Sequence, residues 1–146
     1  MANLMFNNQR GSVVQHKRDG ADLIIVLLKV AQADATLRDH DTLAAVLAAA
    51  NTEADFTNYA RKTITNANWS VTIDDTGEDA SADFADQTWT SAGGASNNTL
   101  VKLLVCTDGA NDTAREPLTL HDFSTTTDGN DLTAVIDAGG FYASTD

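Results

Sequence analysis

Two adjacent glycines, Gly93 and Gly94, separate an aromatic segment from a dense apolar run in the stretch "TWTSAGGASNNTLVKLLVC". A glycine-rich break beside a buried strand holds phosphate groups when a helix follows it and a lysine reaches the outer phosphates. Here strand-forming residues follow, and Lys102 would project from that strand instead of lying at the start of a helix. The pattern therefore predicts a connection between two strands and not a phosphate loop.

Acidic clusters occur in three predicted turns, and such clusters suggest calcium because hard cations take six or more oxygen ligands. They are Asp74–Asp79 ("DDTGED"), Asp108–Asp112 ("DGAND") and Asp128–Asp131 ("DGND"). None follows the EF-hand spacing with its closing glutamate. Asp and Asn are also common in turns because their side chains bond their own backbone. We expect no metal site in any single cluster, although two such loops that meet in space could still form one.

The residues that usually act as nucleophiles, bases and zinc ligands are sparse. The histidines His16, His40 and His121 have no zinc-ligand spacing, and no G-x-S-x-G elbow is present. His121 precedes Asp122, but neighbouring residues of a strand point to opposite faces. The single cysteine, Cys106, lies in an apolar run, where a buried structural thiol is typical. The sequence predicts no catalytic residues and no cofactor.

The charge is strongly unbalanced, with 21 acidic and 9 basic residues among 146 and a formal net charge of -12. Nucleic acids are bound by clustered Lys and Arg, but only Lys17–Arg18 and Arg61–Lys62 are adjacent basic pairs here. The apolar run Leu23–Leu28 is much shorter than the roughly 20 residues that cross a bilayer. No secretion signal is visible at the start of the sequence. We expect no nucleic acid, no membrane, and a chain that is mature from Met1.

The elements that must position these residues are short strands separated by turns. Asp-Gly and Gly-Gly pairs supply the positive φ angles of tight turns. The segments between them, rich in β-branched and aromatic residues, are Ser12–His16, Leu23–Val30, Ser70–Ile73, Asp83–Thr90, Leu100–Cys106, Leu118–Thr125 and Leu132–Ile136. This pattern predicts a mainly β chain, with residues 1–146 forming a single-domain β-sandwich or barrel. Leu23–Leu28 and Leu100–Val105 lack alternation, which predicts central strands covered on both faces.

One short α-helix is predicted in "HDTLAAVLAAANTE". Asp41 or Thr42 is the expected N-cap and Asn51 the expected end of the helix. Apolar residues recur between them at spacings of three and four, at Leu43, Val46, Leu47 and Ala50. A helix of about three turns is not stable alone, so we expect it to pack on the sheet.

Three blocks together resemble small virion structural proteins encoded in the head and tail modules of tailed bacteriophages. The blocks cover well over half of the chain and are Gln32–Thr65, Asp83–Cys106 and Pro117–Ser144. They contain the "N-Y-A-R-K-T" link at Asn58–Thr63, a "D-x-T-W-T" strand, and a closing "H-D-F…T-D-G-x-D-L-T" segment. In this chain His40 replaces the usual aromatic residue before the helix, and the linker Asp108–Glu116 is shorter than is typical of the group.

The resemblance implies a particle component without enzymatic activity, and a head decoration (cement) protein on the outer capsid fits best. Its partners would be the major capsid protein and neighbouring copies of itself, as a homo-oligomer on the virion, after synthesis in the host cytoplasm. Trp89, Phe123 and Phe141 would be packing anchors, and Arg61 with Lys62 would contact an acidic partner surface. The alternative is a tail or baseplate component that binds a receptor or carbohydrate, for which Trp69 or Tyr142 would form an exposed aromatic cluster.

The N-terminal stretch at residues 2–10, "ANLMFNNQR", has two interpretations. Its apolar residues Leu4, Met5 and Phe6 precede Gly11 and have no evident partner in the sequence. As an arm, the stretch would dock on a neighbouring subunit by adding a strand or filling a groove. As the first strand of the sandwich, it would belong to the chain's own sheet. The sequence leaves both open.

Overall fold

The computed structural model describes residues 3–6, 12–76 and 79–144, where eleven strands and three short α-helices follow one another along the chain. The chain is mainly β, as predicted, with antiparallel sheets in a sandwich-like arrangement. The helices are α1 (Val13–Arg18), α2 (Asp34–Leu37) and α3 (Leu43–Ala48). The strands are β1 (Asn3–Met5), β2 (Leu23–Val30), β3 (Thr52–Glu53), β4 (Lys62–Ile64), β5 (Trp69–Asp74), β6 (Asp79–Phe84), β7 (Gln87–Trp89), β8 (Thr99–Thr107), β9 (Pro117–Thr126), β10 (Leu132–Ala134) and β11 (Tyr142–Ser144).

The main sheet has six antiparallel strands in the order β1-β9-β8-β2-β3, with β4 also paired to β2. β2 and β8 pair without a break from Leu23 opposite Thr107 to Leu28 opposite Lys102. Every residue from Leu23 to Leu28 is buried. The prediction that the unbroken apolar runs form central strands is confirmed.

Burial on both faces of β2 divides the core into two clusters. Leu23, Ile25 and Leu27 point to one face, where the aromatic residues Trp69, Trp89, Phe84 and Phe141 are packed. Ile24, Val26 and Leu28 point to the other face, which is covered by Phe6 and by apolar residues of α2 and α3. Because side chains alternate along a strand, one apolar run supplies both cores.

Two smaller sheets lie on the aromatic side. β10 pairs with β7, and β11, β6 and β5 form a three-stranded antiparallel sheet. In that sheet Trp69 and Val71 share the core-facing side, while Ser70 and Thr72 are exposed, as the alternation along the strand predicts.

The predicted helix exists as α3, but it is six residues long and not three turns. Thr42 is the N-cap, and its hydroxyl oxygen accepts from the Ala45 amide at 3.1 Å. The side-chain nitrogen of Asn51 donates to the Val46 carbonyl at 2.8 Å, and its side-chain oxygen accepts from the backbone N–H of Gln32 at 2.7 Å. Asn51 therefore bonds the Val46 carbonyl, which would otherwise accept from the backbone of a further helical turn. It also connects the end of the helix to the loop that precedes α2.

Three sequence predictions of elements were wrong. Ser12–His16 is not a strand, because Val13–Arg18 forms α1, with Val13 in the core and the helix stopped at Asp19-Gly20. Asp83–Thr90 is two strands of different sheets, β6 and β7. The break between them lies at Ala85 and Asp86, where the Asp86 carboxylate accepts from the Ile136 amide at 2.8 Å. The third error is the number of helices, since α1 and α2 accompany α3.

Candidate interaction sites

The link Asn58–Thr63 is fastened to the body of the chain along its length. Asn58 has a φ of 69°, a conformation that Asn tolerates, and its amide donates to the Ser91 carbonyl at 2.9 Å. The Tyr59 hydroxyl accepts from the Leu27 amide at 3.1 Å and donates to Glu53 at 2.8 Å. The Ala60 carbonyl accepts from the indole nitrogen of Trp89 at 2.8 Å. The link is thereby bonded to both the central strand and the "T-W-T" segment.

Arg61 is the centre of an ion-pair network. Its guanidinium donates to both carboxylate oxygens of Glu53, at 2.7 Å each, and to both of Asp112, at 2.6 and 3.0 Å. Arg115 donates to Asp112 at 2.8 Å and to Asp108 at 2.9 Å. Bidentate charge-assisted bonds of this kind are the strongest that side chains form. The network joins β3, the link and the loop between β8 and β9.

The same contacts shift the pKa values of the network. Hydrogen bonds to Glu53, and then to Asp112, raise the pKa of Arg61 above its usual value. The hydrogen bond from Arg61 lowers the pKa of the Asp112 carboxyl to about 2. Burial, followed by the charge of Glu53, raises the pKa of Tyr59 above its usual value. Arg61 and Asp112 are therefore held in their charged forms and Tyr59 in its neutral form.

Arg61 and Lys62 were predicted to contact an acidic partner, and the structure gives both of them contacts within the chain. Arg61 already binds two carboxylates of its own chain. The Lys62 ammonium lies 5.6 Å from the centroid of the Trp89 ring, within the range of a cation–π contact. These contacts indicate a role in fastening the link, and a further role for either residue at a subunit contact stays a prediction.

Residues Leu4, Met5 and Phe6 lie in the chain's own fold. β1 pairs with β9 in the register Asn3–His121, Leu4–Leu120 and Met5–Thr119. Phe6 is fully buried, and its amide donates to the Leu118 carbonyl at 3.1 Å. Leu4 and Met5 are half-buried against opposite cores. For residues 3–6 the first-strand interpretation is the one that describes the structure, and residues 2 and 7–10 of the predicted arm lie outside the described residues.

The glycines Gly93 and Gly94 lie in the connection between β7 and β8, as predicted, and both have φ angles near +95°. The Gly93 amide donates to the Thr57 carbonyl at 2.9 Å, and a Cβ on Gly93 would overlap the side-chain oxygen of Asn97. A Cβ on Gly94 would lie 3.7 Å from the Cα of Gly129. The two backbones approach so closely that the Gly-Gly and "T-D-G" segments lie against each other.

The acidic turns use their carboxylates for bonds within the chain. Asp108 and Asp112 bind Arg115. Asp128 accepts from the backbone and side chain of Asn130, at 3.0 Å in each case, and these bonds lower the pKa of Asp128. Within the described residues no three His, Cys, Asp or Glu side chains are grouped so that they could hold a metal ion. The cluster at Asp74–Asp79 includes residues 77 and 78, which are not described.

His121 and Cys106 are buried, and Asp122 is not. His121 is 2% exposed and its Nε2 lies 2.9 Å from the hydroxyl of Thr119. Burial lowers the pKa of His121 to about 4 and raises that of the Cys106 thiol. Asp122 lies on the opposite, exposed side of β9 and binds Lys102. The prediction that His121 and Asp122 point to opposite faces is confirmed.

The chain matches no protein-family model, no curated protein and no solved structure. Among the described residues, every helix is too short to reach across a membrane. Function is therefore inferred from the geometry above and from the resemblance of the sequence blocks.

Two surface features were not found from the sequence. Among the strands that the structure describes, β5 forms the outer edge of its sheet, and Ile73 near its end is 58% exposed although it shares a face with the buried Trp69. An open cleft of about 280 Å³ lies between β4 and β7 and is lined by Thr63, Ile64, Asn68, Ala85 and Gln87. The alternation of Trp69, Val71 and Ile73 could have indicated a strand that extends beyond its cover, but not that this strand is an edge.

Proposed function

We propose that this protein is a non-enzymatic structural component of a tailed-phage particle, most consistent with a decoration protein on the outer surface of the head. One observation carries the proposal. The residues of the motifs that resemble phage virion proteins are bonded to one another within the chain. Motifs that serve catalysis or ligand binding present their polar groups to a cavity, whereas these motifs serve to hold a rigid body together.

The contacts between motifs support this step. The "N-Y-A-R-K-T" link accepts a hydrogen bond from Trp89 of the "D-x-T-W-T" strand and places Lys62 over the same ring. Asp131 of the closing segment accepts from the Ser91 amide at 2.8 Å, and the Gly129 amide donates to the Ala92 carbonyl. These contacts join the link, the strand and the closing segment to one another, so the residues of the three motifs stabilise the fold.

The charge distribution also supports a place at a solvent-facing surface. Lys29, Arg61, Lys102 and Arg115 each bind carboxylates of their own chain. Exposed carboxylates are spread over the surface, among them Asp75, Asp83, Asp86, Asp128, Asp131 and Asp137. An acidic exterior keeps protein copies soluble and apart, which suits a protein present in many copies on the outside of a particle.

The competing proposal is a tail or baseplate module that binds a receptor or carbohydrate. It called for an exposed aromatic cluster built on Trp69 or Tyr142, and both side chains are 3% exposed. Trp69 packs edge-on to Phe141, and its indole donates to the Ala21 carbonyl at 3.0 Å. These two residues are core residues in the structure, so this proposal would need another binding surface.

Copy number separates the two proposals. Quantitative gel or mass-spectrometric analysis of virions purified from cells that produce this protein should recover it in stoichiometric ratio with the major capsid protein. Antibody-gold labelling should then mark heads. Recovery of only a few copies per particle, with label at the tail tip, would overturn the decoration proposal and favour the tail module. Absence from purified virions would overturn both.

A further inference from the structure

Among the described residues no strand covers the outer edge of β5, and the hydrogen bonds of its neighbour β6 show which backbone groups point outward. The Ala82 carbonyl accepts from the Phe141 amide, and both backbone groups of Ala80 bond the Ser144 hydroxyl, so these residues of β6 face β11. In an antiparallel ladder the N–H and C=O of one residue point the same way, and residues alternate. Ser81 and Asp83 therefore face β5.

The register of the pair then fixes the orientation of β5. Thr72 is opposite Ser81 and Ser70 is opposite Asp83, so Thr72 and Ser70 bond β6. Val71 and Ile73 consequently point their N–H and C=O groups away from the sheet. Among the described residues no strand pairs with this side of β5. The groups form a short, uncharged edge with β-branched side chains, which is a template for a further strand.

We propose that a second copy of this chain covers this edge, through antiparallel pairing of β5 with β5 about a two-fold axis at Thr72. In this register Val71 of each copy lies opposite Ile73 of the other, and the outward groups of both residues form four hydrogen bonds. The side chains of Val71 and Ile73 lie on one face of the strand, so each half-buried valine packs on a 58% exposed isoleucine. Such cross-strand apolar pairs stabilise sheets.

Charge complementarity favours the second copy as the occupant. Continued one residue past the end of β5, the proposed register brings Asp75, in the turn that follows the strand, towards Trp69 of the other copy. The Trp69 carbonyl accepts from the Lys17 ammonium at 2.6 Å, and the described hydrogen bonds of Lys17 are all to uncharged acceptors. Asp75 is exposed at the other end of the same edge. Antiparallel self-pairing thus brings the end of β5 near Asp75 in each copy towards the end near Lys17 in the other copy. The proposed dimer concerns the isolated chain in solution and does not rest on the particle role proposed above.

A cysteine cross-link tests the register. In Thr72→Cys the two thiols face each other across the axis, where Cα atoms of a non-hydrogen-bonded pair are about 4.5 Å apart, within the range that a disulfide spans. In Ser70→Cys, on the same exposed face, the register separates the two Cα atoms by roughly 13 Å, four residues at the strand rise. Oxidised glutathione should convert Thr72→Cys to a linked dimer and leave Ser70→Cys monomeric. Equal cross-linking of the two variants would overturn the proposal.

Analytical ultracentrifugation, which measures the oligomeric state without a cross-link, gives a second test. The wild-type chain should show a concentration-dependent dimer at about 0.15 M salt, where long-range repulsion is screened. Ile73→Pro removes an N–H that points outward and makes no bond to β6, so this substitution should abolish the dimer. Val135→Lys changes a side chain that is also 58% exposed but lies outside β5, and it should leave the dimer intact. A wild-type chain that stays monomeric, or a dimer that persists in Ile73→Pro, would overturn the proposal.

Discussion

Replacement of Arg61 by methionine tests whether this residue fastens the fold or serves a partner. Methionine fills much of the same volume but has no donor, so the four hydrogen bonds to Glu53 and Asp112 are lost together. Glu53 and Asp112 then lose the cation that they share, while Tyr59 keeps its hydrogen bond to Glu53. The variant should fold to a less stable state.

The expected loss in the free energy of unfolding of Arg61→Met lies between two limits. Breaking a fully buried ion pair costs about 3–5 kcal/mol, and an exposed pair contributes about 0–1 kcal/mol. The side chains of Arg61 and Glu53 are each 22% exposed and that of Asp112 is 30% exposed, so water screens part of the interaction. We expect Arg61→Met to lower the free energy of unfolding by about 2–3 kcal/mol. Arg61→Lys keeps the charge without the planar fork and should lose less.

Urea unfolding followed by tryptophan fluorescence measures this loss. The urea midpoint of Arg61→Met should fall by about 1 M or more at an unchanged m-value. Lys29→Met is the matched control, because Lys29 binds Asp55, whose side chain is 65% exposed, and its loss of stability should be clearly smaller than that of Arg61→Met. If Arg61→Met is no less stable than Lys29→Met, the structural role is refuted. Loss of capsid binding at wild-type stability would instead support Arg61 as a subunit contact.

Three further predictions concern single residues. The folded state lowers the pKa of His121 from 6.5 to about 4, so the unfolded chain binds the proton first. The contribution of His121 to this fall in stability is about 3 kcal/mol as pH drops from 6.5 to 4; calorimetry should show a smaller fall in His121→Asn than in the wild-type chain. Gly93→Ala should cost at least about 1 kcal/mol more than Gly20→Ala in urea, since both glycines have positive φ but only at Gly93 would the new Cβ overlap a neighbouring asparagine. Thr42→Ala should lose about 1 kcal/mol with the N-cap bond, while Thr42→Ser keeps it; equal midpoints within either of these pairs would contradict that prediction.

The sequence predicts those elements that bury many apolar residues. Leu23–Leu28 is apolar at every position, which leaves few structures other than a central strand. Ser12–His16 is ambiguous because five residues fit either a strand or a helix. The helix is selected by tertiary contacts, with Val13 in the core and Lys17 bonded to Asn66 and the Trp69 carbonyl. Strands of two or three residues, such as β3 and β11, exist through pairing and have no pattern of their own.

The candidate sites were harder to predict, because their partners are distant in sequence. The pair Arg61–Lys62 stands out as a charge signal, but the carboxylates that bind Arg61 lie 8 and 51 residues away. The assignment of Leu4 to the sheet likewise depends on β9, more than 100 residues later in the chain. Whether a strand is central or at an edge is a property of topology, so the outward-pointing backbone groups of Val71 and Ile73 could only be found from the structure.

The excess of negative charge sets conditions on any contact between copies. Each chain has a formal net charge of -12, so two chains repel at low ionic strength, where the Debye length of about 30 Å at 0.01 M exceeds the reach of any single contact. At about 0.15 M that length falls to about 8 Å, which screens the surface as a whole more than a close pair such as the one proposed between Asp75 of one copy and Lys17 of the other. The β5 edge is uncharged from Trp69 to Ile73 and has charge only at its ends. It is therefore a place where the strands of two acidic chains could pair without one exposed carboxylate lying directly opposite another.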